Sequence, residues 1–144
     1  DGLHPFKYRG IENLWGNVFQ WVDGININNN QAWISRNPAD YASNYFANPY
    51  TQLSYINCDA NGYISQMGFD PSNPEFQLPT SITGGAYNKY YADYYYQSTG
   101  QRVARLGGSW AYGSRTGLSC WTLVNTSGAS DVSVGGRLAK KALE

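Results

Sequence analysis

Charge is scarce in this chain. Ten Lys and Arg balance ten Asp and Glu over 144 residues, so 14% are charged and the formal net charge is zero. Such a domain has no bulk attraction for nucleic acid or an anionic membrane surface. Histidine occurs once, as His4 beside Pro5, where it reads as incidental. Cysteine occurs twice, at Cys58 and Cys120, without CxxC spacing. Zinc and haem sites therefore lack ligands, and no metal or cofactor is expected. Two distant thiols make a weak disulfide framework, and both are expected to be free. No apolar run approaches the ~20 residues of a membrane span, so direct membrane insertion is not expected. No signal peptide is legible and the chain opens Asp1-Gly2 rather than with Met, which reads as an excised or processed piece of a longer protein. Its length fits a single domain, 1–144, with a sizeable core.

Aromatics, by contrast, are abundant: 13 Tyr and 5 Trp stand among many Gly, Ser and Asn. Tyr and Trp give large contact area at low rotamer cost, and Ser, Gly and Asn give adaptable hydrogen bonding, the composition of binding loops. A loop-rich domain with few long elements to pack would also be aromatic, and composition alone leaves both readings open.

Along the chain, residues 10 to 24 begin with a helical or turn-like entry and then become strand-like. Val18, Gln20 and Val22 alternate with Phe19, Trp21 and Asp23, apolar on both faces, as in a largely buried strand. Gly24 is expected to end it. Ile25 to Ile27 and Gln31 to Ser35 flank Asn28-Asn29-Asn30 and predict a hairpin. Pro38-Ala39-Asp40 suggests a short helix. Leu53 to Ile56 and Tyr63 to Met67 predict a second hairpin, chiefly on Asn61-Gly62. Residues 68 to 85, broken by Pro71, Pro74, Pro79, Gly84 and Gly85, read as a long ordered loop. Tyr87 to Gln97 and Gln101 to Trp110 read as strands, the latter interrupted at Gly107-Gly108, and Ser133 to Ala139 as the last regular piece. The fold class expected is α+β, mostly β and loop-rich, with short helices and antiparallel hairpins.

Two blocks carry a family resemblance. Gly16-Asn17-Val18-Phe19-Gln20-Trp21-Val22 is similar to the Gly-Asn-Val-Trp-Glu-Trp-Val strand of the C-type-lectin-like branch that includes formylglycine-generating enzymes and phage or prophage variable proteins. Gly107-Gly108-Ser109-Trp110, closed by Gly135-Gly136-Arg137-Leu138, resembles the family's second block, where Gly-Phe-Arg is usual. Order and spacing cover about residues 8 to 139. The stretch Tyr8-Arg9-Gly10-Ile11-Glu12-Asn13 to Val22-Asp23-Gly24 resembles the phage and prophage members more than the enzymes.

The resemblance implies a C-type-lectin-like fold and a diversity-generating retroelement variable protein, with residues 105–138 as the variable region. In such proteins adenine-specific mutagenesis rewrites Asn codons into Tyr, Arg, Thr, Ser, Cys, Val, Gly, Ala or Asp, but not Lys, Glu, Gln or Met. Residues 111 to 134 contain none of those four, although the whole chain is sparing with them. Gly113, Gly117 and Gly128 punctuate the stretch, so much of it should be surface loop, tolerant of change. Gly108, Trp110, Leu118, Leu123 and Leu138 are expected as a buried frame, with truncation of Trp110 costing ~3 kcal/mol or more. Trp121, outside the reachable set, is assigned to the fixed frame or to an unmutated codon, and a core position is favoured over a place on the face. The expected ligand-binding residues are Ala111, Tyr112, Arg115, Thr116, Ser119, Cys120, Thr122, Val124, Asn125, Ser127, Ala129, Asp131 and Ser133. Tyr112 and Arg115 are the residue types that most often anchor interfaces. The reading implied is a non-catalytic display domain on a phage tail or bacterial cell surface. Its partner would be a protein or glycan ligand on a cell surface, and a homo-oligomer is compatible with it.

Three other readings stand beside it. A formylglycine-generating-enzyme-like oxidase would need a pair of nearby thiols, and the C-terminal region has only Cys120. The related iron enzymes need a histidine cluster. A calcium-dependent lectin finds oxygen donors at Asp70, Asn73 and Glu75 beside Pro74, but a capped turn explains them better than a metal site. An undiversified structural module of a phage tail or surface protein would use the tyrosines of 87 to 96 as an interface, which a half-buried strand explains equally. Glu12 and Asp23 read as turn or strand-pairing residues rather than an acid/base pair.

Overall fold

The computed structural model describes residues 7–8, 11–89 and 91–136. Strands β1 (Lys7–Tyr8) and β2 (Ile11–Glu12) form a small antiparallel pair. β3 (Phe19–Asn28) is the longest element and the axis of the fold. It turns at Asn29, whose positive φ of 55° suits asparagine, into β4 (Gln31–Ile34), the expected hairpin. Asn37 caps a single 3-10 turn at Pro38–Asp40 by accepting the Ala39 N–H. Then come β5 (Thr51–Ile56), β6 (Gly62–Tyr63), β7 (Gln66–Met67), β8 (Pro79–Ser81), β9 (Tyr94–Gln97) and β10 (Gln101–Leu106). A 3-10 stretch, Trp110–Arg115, is kinked at Gly113 and precedes β11 (Trp121–Leu123) and β12 (Val134–Gly135).

One eight-stranded sheet, curled as a half-barrel, runs β5-β4-β3-β10-β11-β9-β6, with β12 joining beside Phe19 and Gln20 of β3. Most pairs are antiparallel; β11 with β9 and β12 with β3 are parallel. The architecture is mostly β and loop-rich, and among the described residues helix is limited to 3-10 turns.

The concave core lies on one face. Ile25, Ile27, Ala32, Ile34, Leu53, Ala104, Leu123 and Tyr95 meet Ile64 and Leu78, which the long β5–β9 connection brings across. Tyr55 ties that connection down: its hydroxyl donates to the Phe76 carbonyl at 2.6 Å and accepts the Leu78 N–H at 3.0 Å. Trp121 packs against this core, as expected.

Several expectations are corrected. Gly24 does not end β3. The strand continues through it with a bulge, because Val103 pairs Asn26 while Ala104 pairs Val22. The 53–67 hairpin does not form. β5 pairs β4, β6 pairs β9, and the Asn61 carboxamide accepts the Gln97 N–H at 2.7 Å instead of turning a hairpin. The 68–85 connection includes β8, paired with β7. Only Tyr94–Gln97 of the tyrosine-rich segment is strand, and Tyr90 lies outside the described residues. The strand from Gln101 stops at Leu106. Within Ser133–Ala139 the strand is Val134–Gly135; residues 137 to 139, like His4, lie outside the described residues.

The two sequence blocks and the start of the closing one converge. The Gly16 N–H donates to the Gly107 carbonyl at 2.9 Å and the Trp110 N–H to the Asn17 carbonyl at 2.9 Å. Val134 and Gly135 pair Phe19 and Gln20.

Candidate functional site

Side chains directly opposite across paired strands share a face. The registers set Trp21, Arg105, Thr122 and Tyr96 in one row across β3, β10, β11 and β9, on the face away from the core. Two residues before Trp21 and Tyr96 on their strands, Phe19 and Tyr94 begin a second row, and Tyr63 pairs Tyr94. An aromatic ladder results. Tyr63 and Tyr94 are 5.0 Å apart by centroid, Tyr94 and Tyr96 4.7 Å, Tyr96 and Tyr112 5.3 Å, and Tyr112 and Phe19 5.2 Å. Most of these contacts are edge-to-face, the arrangement ring quadrupoles favour. Tyr112 reaches the ladder from above, because the 3-10 stretch folds back over this face.

Two guanidinium groups belong to the ladder. Arg105, 6% exposed, lies 4.5 Å from the Phe19 centroid and 5.5 Å from that of Trp21, and donates to the Asn125 carboxamide oxygen at 2.5 Å. Burial pulls its pKa down; the charge of Asp131 and the neighbouring Tyr112 work against that. Arg115 is exposed and sits 5.0 Å over the Tyr94 ring. It approaches the hydroxyls of Tyr96 and Tyr63, which raise its pKa, although the Tyr96 contact falls short of good hydrogen-bond geometry. Among the described residues neither guanidinium has a carboxylate within ion-pair distance; the ion pairs seen are Lys7–Glu12 and Arg36–Glu75.

The nearby carboxylates are spent on the backbone. Asp93 accepts the Ser119 N–H at 2.6 Å, in space that only a glycine at 117 leaves open: a Cβ there would lie 1.9 Å from its Oδ1. Asp131 accepts the Ser133 N–H and hydroxyl, which hold its carboxyl below the usual range. The oxygen donors beside Pro74 are likewise committed. Asp70 accepts from the N–H groups of Ser54, Ser72 and Asn73, and Glu75 pairs with Arg36.

The thirteen expected ligand-binding residues divide by accessibility. Ala111, Tyr112, Arg115, Ser127 and Asp131 are exposed. Thr116, Ser119, Val124, Asn125, Ala129 and Ser133 are half-buried. Several of these are structural: Thr116 Oγ1 donates to the Gly113 carbonyl at 2.9 Å, and the Ser133 carbonyl accepts the Phe19 N–H at 2.7 Å. Cys120 and Thr122 are corrections. Both are buried (0% and 2% exposed), because they lead into and occupy β11 between β10 and β9, so neither presents a side chain to solvent. Burial pushes the Cys120 thiol up to about 12, and both cysteines are free thiols.

The expected frame is corrected too. Trp110 and Leu118 are 66% and 55% exposed, while Gly108 and Leu123 are buried as expected and Leu138 lies outside the described residues. The sequence reading also missed Arg105, Phe19, Tyr94 and Tyr96 as members of this face. One signal was available for Arg105: a lone cation inside the Val103-Ala104-Arg105-Leu106 run must point away from the core. No protein-family model, no curated protein and no solved structure matches this chain.

Proposed function

We propose that the chain is a non-catalytic ligand-binding display domain, the C-type-lectin-like domain of a diversity-generating retroelement variable protein. It would recognise a protein or glycan on a cell surface. The observation that carries this reading is the separation of the exposed candidate residues from the core. Ala111, Tyr112 and Arg115 lie on one loop and Ser127 and Asp131 on another, with buried β11 between them. Side chains on those loops can be exchanged without touching Ile27, Leu53, Tyr95 or Leu123, where the folding energy lies. The convergence of the Gly16–Val22 block, Gly107–Trp110 and Gly135 around the start of β3 supports the lectin-like assignment, since the resemblance rests on those segments.

The proposed face offers an arginine held on a tyrosine ring, exposed Trp110, and polar loop residues, the mixture from which interface anchors are drawn. Burial of the Cys120 thiol leaves it protonated at neutral pH and without access to substrate, which favours recognition over thiol oxidation chemistry. Sequencing the encoding locus tests the reading. A second, imperfect copy of the codons for residues 105 to 138, differing almost only at adenines and lying beside a reverse-transcriptase gene, is expected. A locus without such a copy would reduce the domain to an undiversified binding or structural module.

A further inference from the structure

A cleft of about 450 Å³ opens beside the β3 bulge, within the size range of small-ligand sites. Trp21, Asp23, Tyr41, Ser43, Tyr50 and Ser127 are among the residues that line it. The cleft is built rather than incidental. Asn26, 3% exposed, donates from Nδ2 to the carbonyls of Ala42 and Tyr45 at 2.7 and 3.2 Å, tying the 41–50 segment to β3. The Tyr50 hydroxyl accepts the Ala42 N–H at 3.0 Å and donates to the Ala42 carbonyl at 3.1 Å. From the other side, Asn44 Nδ2 donates to Ser127 Oγ at 3.3 Å. At the floor Gly24 has φ +78°, and a Cβ there would fall 2.6 Å from the Ser35 carbonyl oxygen and 2.7 Å from the Tyr41 ring. The absence of a side chain lets Tyr41 close directly onto the strand.

Asp23 is the carboxylate of this cleft. It is exposed, and among the described residues no hydrogen bond or ion pair engages it. Asp70, Asp93 and Asp131 differ, since each is held by backbone donors. Arg105 approaches the Trp21 ring, but the carboxylate whose charge acts on it is Asp131. Among the described residues the cleft therefore keeps an unpaired carboxylate on a wall it shares with the Trp21 and Tyr41 rings. Carboxylate and ring faces both attract a cation, and the rings also bury its apolar stem.

We propose that the cleft beside the β3 bulge binds an organic cation, with an ammonium or guanidinium group set against Asp23 and the adjoining stem on Trp21 and Tyr41. Such a group comes either from a lysine or arginine side chain of a partner protein or from a free small amine. The site involves Ser127 alone of the thirteen display candidates, and it stands or falls independently of the display reading.

The test is titration of the isotopically labelled full chain with argininamide and, in parallel, with citrullinamide, its uncharged near-isostere, followed by amide NMR. Saturable shifts at Gly24 and Ile25 are expected with argininamide, with affinity at least about tenfold weaker for citrullinamide and for the Asp23→Asn variant. The citrullinamide arm uses the unaltered protein, so the comparison survives if the variant folds poorly. Equal response to both compounds, or no saturable shift by about 50 mM, overturns the proposal. Given binding, a peptide with one central arginine separates the sources. Binding at least about tenfold tighter than argininamide identifies a protein segment, and equal affinity a free small amine.

Discussion

Trp110 shows how far a residue's type can mislead about its place. The sequence sets it after two glycines, where a large ring should seal the core, yet its backbone alone is anchored, to the Asn17 carbonyl, while 66% of the residue is exposed. Trp110→Ala is therefore expected to cost less than about 1 kcal/mol in urea unfolding, as exposed sites do. A loss near 3 kcal/mol would show that the ring is covered. Tyr112 behaves oppositely. Although 37% exposed, its ring meets Phe19 and Tyr96 edge-on, so Tyr112→Ala should cost about 1–3 kcal/mol. Cys120 gives a pH signature. Burial raises its thiol from 9.0 to about 12, so the folded state holds a proton that the unfolded chain releases. The stability this contributes is complete below pH 9 and is lost as pH rises from 9 towards 12. Unfolding free energy should fall by on the order of 1 kcal/mol per pH unit there. Cys120→Ala should flatten the slope between pH 9 and 10, before the buried tyrosines add theirs. An unchanged slope in the variant would locate the titrating group elsewhere.

At the scale of elements, β3 pairs with β4, β10 and β12, and its bulge leaves no room for a side chain at Gly24. Gly24→Ala forces a side chain into a left-handed backbone against the Ser35 carbonyl and the Tyr41 ring, and should cost about 2–4 kcal/mol. Gly128→Ala, on an exposed loop with nothing within 4 Å of its Cβ and no positive φ, should stay within about 0.5 kcal/mol. Chemical denaturation of the two variants side by side checks the contrast. The same elements show what was legible in the sequence. The β3–β4 hairpin was, because three asparagines lie between two alternating runs and the pairing is local. The partners of β6 and β11 were not. Gly62–Tyr63 pairs with Tyr94 and Tyr95 some thirty residues on, and Thr122 pairs with Tyr96 in parallel. Two- and three-residue strands carry too little periodicity to announce themselves, and nothing local names a distant partner. That is why Cys120 and Thr122 read as loop residues. The exposed loops on either side were readable from Gly113 and Gly128, which mark turns, whereas the short β11 between Gly117 and Gly128 was not.

Considered whole, the molecule divides its labour between two faces of one sheet. The concave side holds the aliphatic core and the outer side the tyrosine ladder with its two arginines, so the exposed loop side chains, apart from Tyr112 on the buried Phe19, lie off the core. Tolerance to simultaneous substitution follows from this division, and it is the property a display domain requires. A variant changed together at Ala111, Ser114, Thr126, Ser130 and Val132, all exposed, to other small or polar residues should melt within about 4 °C of the parent, because independent surface changes are each near neutral. The double variant Cys120→Tyr, Thr122→Tyr should lose its cooperative transition, since both positions are buried and a ring at each would overpack the sheet. Thermal melts followed by circular dichroism distinguish the two. If the five-site variant also failed to fold, the two loops would be part of the stabilising framework. Residues 111 to 134 could then not be rewritten freely, whatever the codons allow.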